Sequence, residues 1–562
     1  MHDLLIRSGT VVDGSGAPAR LADIAVTGER IAGVGTGLGP ARREIDAAGL
    51  LVTPGFVDVH THYDGQALWD PYLTPSSWHG VTTAIFGNCG VGFAPVRPGN
   101  APYLIELMES VEDIPGEVLA KGVSFAWESF PEYLDVLASS PKAMDVGAQV
   151  PHAALRFYVM GERGADHSQV PSSGEVERMG VLLEEALRAG ALGFSTSRTL
   201  KHRAKDGRPT PSLSAREAEL LGLAAAMKRA GRGVIEVNSD FGPGEFEAMR
   251  AAAALSGRPL SVLLLQVDNA PELWRETRAK IHAARAAGLA VNGQVGCRPI
   301  GLLMGLQTSR NPFSTHPDWL ALDNLTPAQR LARLQGDAGL QRRLIEQRPE
   351  DAQTRWMTSV LSKIYVLDAS FDYEPDPATS IAARGAAQGR SPWALALEAM
   401  LAGGGKGLLV QTFENYSAGS LDVVREMLLD EATIVGLGDG GAHVGTICDA
   451  SSPTFLLSHW ARDRKRGERL PLELLIRKQT RDSAAAWGLA DRGVLAAGQR
   501  ADINVIDFER LRLLPPQVVY DLPGGGRRLI QRAQGYRHTF VAGRETSCDD
   551  QPTGVLPGRL LR

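Results

Sequence analysis

From about residue 53 to residue 445 the chain alternates short apolar runs with helical stretches. A sequence with that rhythm buries its runs in a parallel sheet joined by crossover helices. The runs are VTPGFVDVH, VTTAIFGN, MDVGAQVPH, GALGFSTS, GVIEVNSD, PLSVLLLQ, LAVNGQVG, LLVQTF and TIVGLGD. A closed (β/α)8 TIM barrel needs eight strands, so one run is surplus; LLVQTF, around Val410, is expected outside the barrel. The two ends of the chain read differently. LLIRSGTVVD and ADIAVTGERIAGVG alternate with glycine turns in an antiparallel style, and GVLAAGQRADINVIDF returns to that style near the C-terminus. Residues 1–52 and 492–562 are therefore expected to form one small β domain, and residues 53–491 the α/β barrel. Between residues 301 and 405 the pattern turns charged and mostly helical, which is expected of a lid over the site or of a helical pair packed outside.

Composition narrows the function classes. At 44% hydrophobic and 22% charged residues the chain is globular. Its 59 Lys and Arg against 64 Asp and Glu leave no basic field for nucleic acid or an anionic membrane. The N-terminus lacks a secretory pattern, no window is apolar enough to span a bilayer, and Cys89, Cys297, Cys448 and Cys548 are too scattered for a disulfide framework; a cytoplasmic location is expected. GTVVDGSG and GVGTGLG have glycines at dinucleotide-like intervals but no following helix, so that reading fails. DRKRGER reads as a solvated charged connection. Twelve histidines and four cysteines bound any metal chemistry.

GFVDVHTHYD sets His60 and His62 two residues apart at the end of an apolar strand, where side chains at i and i+2 share a face. At the C-terminal mouth of a barrel both imidazoles can reach one metal ion, although an isolated pair of this kind also occurs on exposed strands. The next run ends in GNCG, bringing Cys89 to the same level among Gly87, Gly90 and Gly92; a thiolate there can bind Zn²⁺, whereas an isolated cysteine is more often core. The last run ends in GLGDGGAHVG, where Asp439 can ligate a metal through one oxygen and take a proton from water through the other.

Together with PSSWHGVTT, the GNCGVGFAP cysteine 27 positions after His62, and the terminal GVLAAGQRADINVIDF, these motifs resemble the N-acyl-D-amino-acid deacylases (D-aminoacylases) of the amidohydrolase superfamily over nearly the whole chain. The resemblance implies a distorted (β/α)8 barrel with a small β-sandwich domain from both termini and a zinc-centred site that hydrolyses an amide bond. It implies His60, His62, Cys89 and Asp439 as metal positions and Asp439 as general base. Family members carry histidines at the ends of the fifth and sixth strands; here Asn238 and Gln266 stand there. Amides are poor zinc ligands, so a single Zn²⁺ is expected on His60, His62 and Asp439, with Cys89 as fourth ligand or neighbour. Glu236, on the same strand face as Asn238 and Asp240, could supply an oxygen to a second position.

The substrate expected is a small N-acyl amino acid. Ser195, Arg198, Lys201, His202 and Arg203 form a basic segment after GALGFSTS, in which Arg198 could grip a carboxylate and His202 reach the metal; a solvated loop is the alternative. Arg298 is a second carboxylate candidate, and His443 could orient Asp439 or touch substrate. Tyr63 and Asp64 adjoin the metal pair, while His79, His152 and His459 read as packing or surface residues. Two rivals stay open: another C–N hydrolase on this scaffold, such as one opening a cyclic amide, and a non-catalytic relative.

Overall fold

The computed structural model describes residues 1–368 and 371–562. Eight parallel strands form the barrel: β1 (Phe56–Asp58), β2 (Val81–Phe86), β3 (Asp145–Pro151), β4 (Gly193–Arg198), β5 (Val234–Ser239), β6 (Leu260–Leu263), β7 (Val291–Val295) and β8 (Thr433–Val435). Each pairs with its neighbours in chain order. Every residue of β2, β3 and β4 is buried, because both faces of a parallel barrel strand are covered; the polar residues among them, such as Ser195, Thr196 and Ser197, lie inside the fold. Between β1 and β8 there is no ladder. The Asp439 amide donates to the His60 carbonyl at 3.0 Å and the His62 amide to the Gly440 carbonyl at 2.7 Å. The barrel is thus distorted, and its rim is closed by the main chain of the residues that the sequence marks as chemical.

The run LVTPGFVDV is divided. Leu51–Pro54 belongs to a nine-stranded sheet made from both ends of the chain, β1 belongs to the barrel, and Gly55 lies between. A Cβ on Gly55 would collide with the Thr82 side chain, so only glycine fits. In the end sheet Leu51–Pro54 pairs antiparallel with Ile503–Ile506, bringing the termini together as expected. The first strand, His2–Val11, corrects the antiparallel expectation, since it runs parallel to both Ala41–Asp46 and Leu51–Pro54.

LLVQTF lies outside the barrel. Leu408–Thr412 is the middle strand of a three-stranded antiparallel sheet with Gly301–Gly305 and Ile364–Leu367. With the helices Pro327–Gly336, Ala338–Glu346 and Pro392–Gly405 it forms a separate core around Leu334, Leu344, Met400 and Leu409. This layer is tied to the barrel rim: the Leu303 amide donates to the Thr446 carbonyl at 2.7 Å and the Ser309 amide to that of Gly445 at 3.0 Å. DRKRGER is a largely solvated connection, as expected, but two of its arginines are engaged. Arg464 is fully buried and donates to Glu374 and Asp422, while Arg466 binds the carbonyls of Pro375 and Gly419. These two arginines clamp an otherwise exposed segment to distant loops. Among the described residues no helix is long and apolar enough to cross a membrane.

Candidate metal centre at the barrel mouth

β1 delivers His60 and His62 to the C-terminal rim, both essentially without solvent exposure. Their Nε2 atoms lie 3.6 and 3.7 Å from Asp439 Oδ1, and Cys89 Sγ lies 3.4 Å from His60 Nε2. The ring of each histidine is oriented from behind. His60 Nδ1 is 3.0 Å from Gln294 Oε1, whose own amide nitrogen donates to Ser261, and His62 Nδ1 is 3.4 Å from Glu112 Oε1. The Cys89 amide donates to Glu236 Oε2 at 3.1 Å. Cys89, Asp439 and His443 all adopt left-handed backbone, with φ of 55°, 45° and 50°, and such strain in non-glycine residues gathers at functional sites.

Residues 43–546 match the amidohydrolase family. The chain belongs to the amidohydrolase family. It is 38% identical over 195 residues to a D-aminoacylase of Alcaligenes xylosoxydans xylosoxydans, a match spanning 34% of this chain and 37% of that one. An N-acyl-D-glutamate deacylase of the same organism is 29% identical over 575 residues, covering 100% of this chain and 96% of the relative. Among solved structures, an N-acyl-D-glutamate deacylase from Bordetella bronchiseptica, complexed with zinc and a phosphonate mimic of the tetrahedral intermediate, superposes with a TM-score of 0.66 at 25% identity over 100% and 99% of the two chains. The resemblance to D-aminoacylases read from the motifs is borne out.

The side chains of this amidohydrolase fit a metal ion. Nitrogen and oxygen donors at ~2.0 Å and sulfur at ~2.3 Å around one tetrahedral ion stand roughly 3.3–3.6 Å apart, close to the separations found here. Burial lowers His60 to about 4 and His62 to about 3, which keeps both imidazoles in the neutral, ligating form. Burial, with Asp439 adding its charge, pushes the Glu236 carboxyl up to about 8; burial and the neighbouring carboxylates raise Glu112 and the Cys89 thiol as well. Among the described residues no Lys or Arg pairs with Asp439, Glu112 or Glu236. A divalent cation is the charge this anionic cluster lacks.

The other residues singled out in sequence divide. Asn238 reaches the cluster, its amide nitrogen 3.5 Å from Cys89 Sγ, and His443 Nε2 is 3.5 Å from Glu112 Oε2. His202 bonds Ser197 through Nδ1 at 3.0 Å and lies near enough to His443 and His62 for their charges to add to the burial that lowers it to about 3. Asp64 caps the β2 turn by accepting the Gly87 amide, and Tyr63 donates to Ser76. Four expectations are corrected. Gln266 is turned into a loop, where it accepts the Ser417 amide and donates to the Pro271 carbonyl. Ser195 ties the GNCG turn, donating to Gly87 and accepting the Gly90 amide. Arg198 is consumed by Glu245 and by the carbonyls of Ser212 and Ala215. Arg298 pairs with Asp449 and stacks on Tyr373 at 4.0 Å. For Gln266, Ser195 and Arg198 partners elsewhere in the chain take up the polar group, whereas Arg298 is held through Nε and Nη2 and keeps a buried Nη1 that makes no hydrogen bond.

Two residues escaped the sequence reading. Glu112 ends the helix α1 (Ala101–Glu112), and the spacing of Leu104, Leu107, Met108 and Val111 is the signal that its apolar face packs inward. Arg310 belongs to the segment tied to the rim by Ser309. It is exposed, its charge adds to the burial that lowers His443 and opposes the burial that raises Asp113, and among the described residues its guanidinium has no hydrogen bond or ion pair.

Proposed function

We propose that this amidohydrolase cleaves the amide bond of an N-acyl-D-amino acid at a single zinc centre. The observation that carries the reading is that His60, His62 and Cys89 each offer a ligand atom within 4.8 Å of one another, with Asp439 Oδ1 3.6 and 3.7 Å from the two histidine Nε2 atoms. The names of the relatives, two of them deacylases of N-acyl-D-glutamate and one a D-aminoacylase, support the substrate class. When bound, the ion supplies Lewis acidity toward the amide carbonyl and lowers the pKa of water. Asp439 accepts the proton of the attacking water and returns it to the departing amine, the role open to a carboxylate on this rim. His443, held beside Glu112, faces the same space. Arg310, whose guanidinium has no ion pair among the described residues, receives the substrate carboxylate, since Arg198 is held by Glu245 and Arg298 by Asp449. The layer over residues 301–412 acts as the wall or lid that brings Arg310 there and limits water.

The test is a screen of N-acyl-D- and N-acyl-L-amino acids with zinc-replete and chelator-treated protein. Hydrolysis confined to D substrates and abolished by chelation is the expected result. Asn238 and Gln266, standing where relatives of this type carry histidines, favour a second reading in which the same site opens a cyclic amide; turnover of cyclic amides alone would select it.

A further inference from the structure

We infer that Glu112 is a positioning residue that fixes the His62 ring and the Asp439–His443 loop against one another, through its carboxylate and its main chain together. The inference rests on the metal reading above.

Glu112 is 1% exposed, yet its Oε1 makes no hydrogen bond. The atom facing it, His62 Nδ1, is buried and makes none either, and the two are 3.4 Å apart. Buried polar atoms in folded proteins are satisfied, and a shift of a few tenths of an ångström makes these two each other's partner. A carboxylate accepting from Nδ1–H holds the tautomer whose lone pair is on Nε2, the nitrogen turned toward Asp439. His60 receives the same service from a neutral amide, Gln294. The second oxygen, Oε2, lies 3.5 Å from His443 Nε2.

The main chain continues the clamp. The Glu112 carbonyl accepts the His443 amide, and Asp113, itself left-handed with φ 50°, accepts from Thr446 Oγ1 at 3.1 Å. The loop so held contains three left-handed non-glycine residues, Leu437, Asp439 and His443. Such backbone is strained in a non-glycine residue and persists where the surroundings over-determine it. The end of α1 is what over-determines this loop. It thereby couples one histidine from β1 to the aspartate that follows β8.

The experiment compares wild type, Glu112→Leu and Glu112→Gln. Zinc affinity is read by chelator competition, the ligand field by the visible spectrum of the cobalt-substituted protein, and folding by thermal unfolding of the metal-free form. Loss of the acceptor in Glu112→Leu is expected to weaken zinc binding about 10–100-fold and to alter the cobalt spectrum. Glu112→Gln, which keeps an acceptor as Gln294 does, is expected to restore most of the affinity. Glu112→Ala removes the same acceptor without filling the space and replaces the leucine variant if that one is unfolded. Wild-type affinity and spectrum in a folded acceptor-less variant would overturn the inference while leaving the metal reading intact. A wild-type protein that binds no zinc would overturn the metal reading itself.

Discussion

The Asn238 side chain directs its amide nitrogen at Cys89 Sγ, 3.5 Å away. The fifth strand thus offers the sulfur a donor and leaves no nitrogen lone pair for a second ion, while Gln266 on the sixth is spent on Ser417 and Pro271. One tightly held zinc per chain is therefore expected. Metal analysis of purified protein after dialysis measures it, and two ions retained per chain would contradict it. In the cobalt-substituted enzyme a sulfur-to-metal charge-transfer band is expected, and Cys89→Ser should remove it.

In the proposed mechanism Asp439 both holds the ion and moves the proton. Asp439→Ala should lower kcat by about 10³-fold or more, at the upper end of what positioned acid–base groups contribute, with the barrel still folded. Steady-state kinetics with metal content measured in parallel tests this, and near-normal turnover excludes the role.

Arg310 has no competing anion bonded to it, in contrast to Arg198 and Arg298. Truncating Arg310 to alanine should raise KM for an N-acyl amino acid by about 10–100-fold, as expected for one charge-assisted hydrogen-bonded contact, and leave KM for the corresponding amino-acid amide nearly unchanged. Equal losses on both substrates would show that Arg310 does not read the carboxylate.

The clamp that fastens the outer layer to the barrel gives a stability prediction. Glu374 accepts from Arg464 and from His459, both at 2.9 Å; burial opposes its ionisation, but these bonds outweigh burial and hold the carboxyl at about 2. Glu374→Gln should destabilise by about 1.5–3 kcal/mol at neutral pH, because the buried Arg464 loses one of its two carboxylate partners and keeps Asp422. A carboxyl with a depressed pKa stabilises the fold above its unfolded value, near 4.5, and loses that contribution as pH falls through about 2. The gap between wild type and variant should therefore narrow with acidification below about pH 4.5. Denaturant titrations across that range check the sign, and a gap that widens would refute the assignment.

Much of the centre is local information. His60 and His62 share a face because strand side chains alternate with period two, and Cys89 and Asp439 sit at strand ends that apolar runs followed by glycine make visible. The same alternation identified Leu408–Thr412 as the surplus strand by count. The parallel pairing of His2–Val11 was not visible, since strand direction depends on what lies beside it and not on the strand's own residues.

By itself the sequence determined the barrel and the β domain joining the two ends, and it singled out the four residues proposed as donors, because hydrophobic periodicity and ligand spacing are carried by neighbouring residues. Only the tertiary structure decided which charged groups remain free to act. Arg198 and Arg298 read as carboxylate-binding cations, yet Glu245 and Asp449 reach them from elsewhere in the chain. Glu112 carried no signal of its own in the sequence, yet it is buried between His62 and His443. A buried charge must find its partner inside the fold, and that partner is set by packing between elements that no local pattern relates.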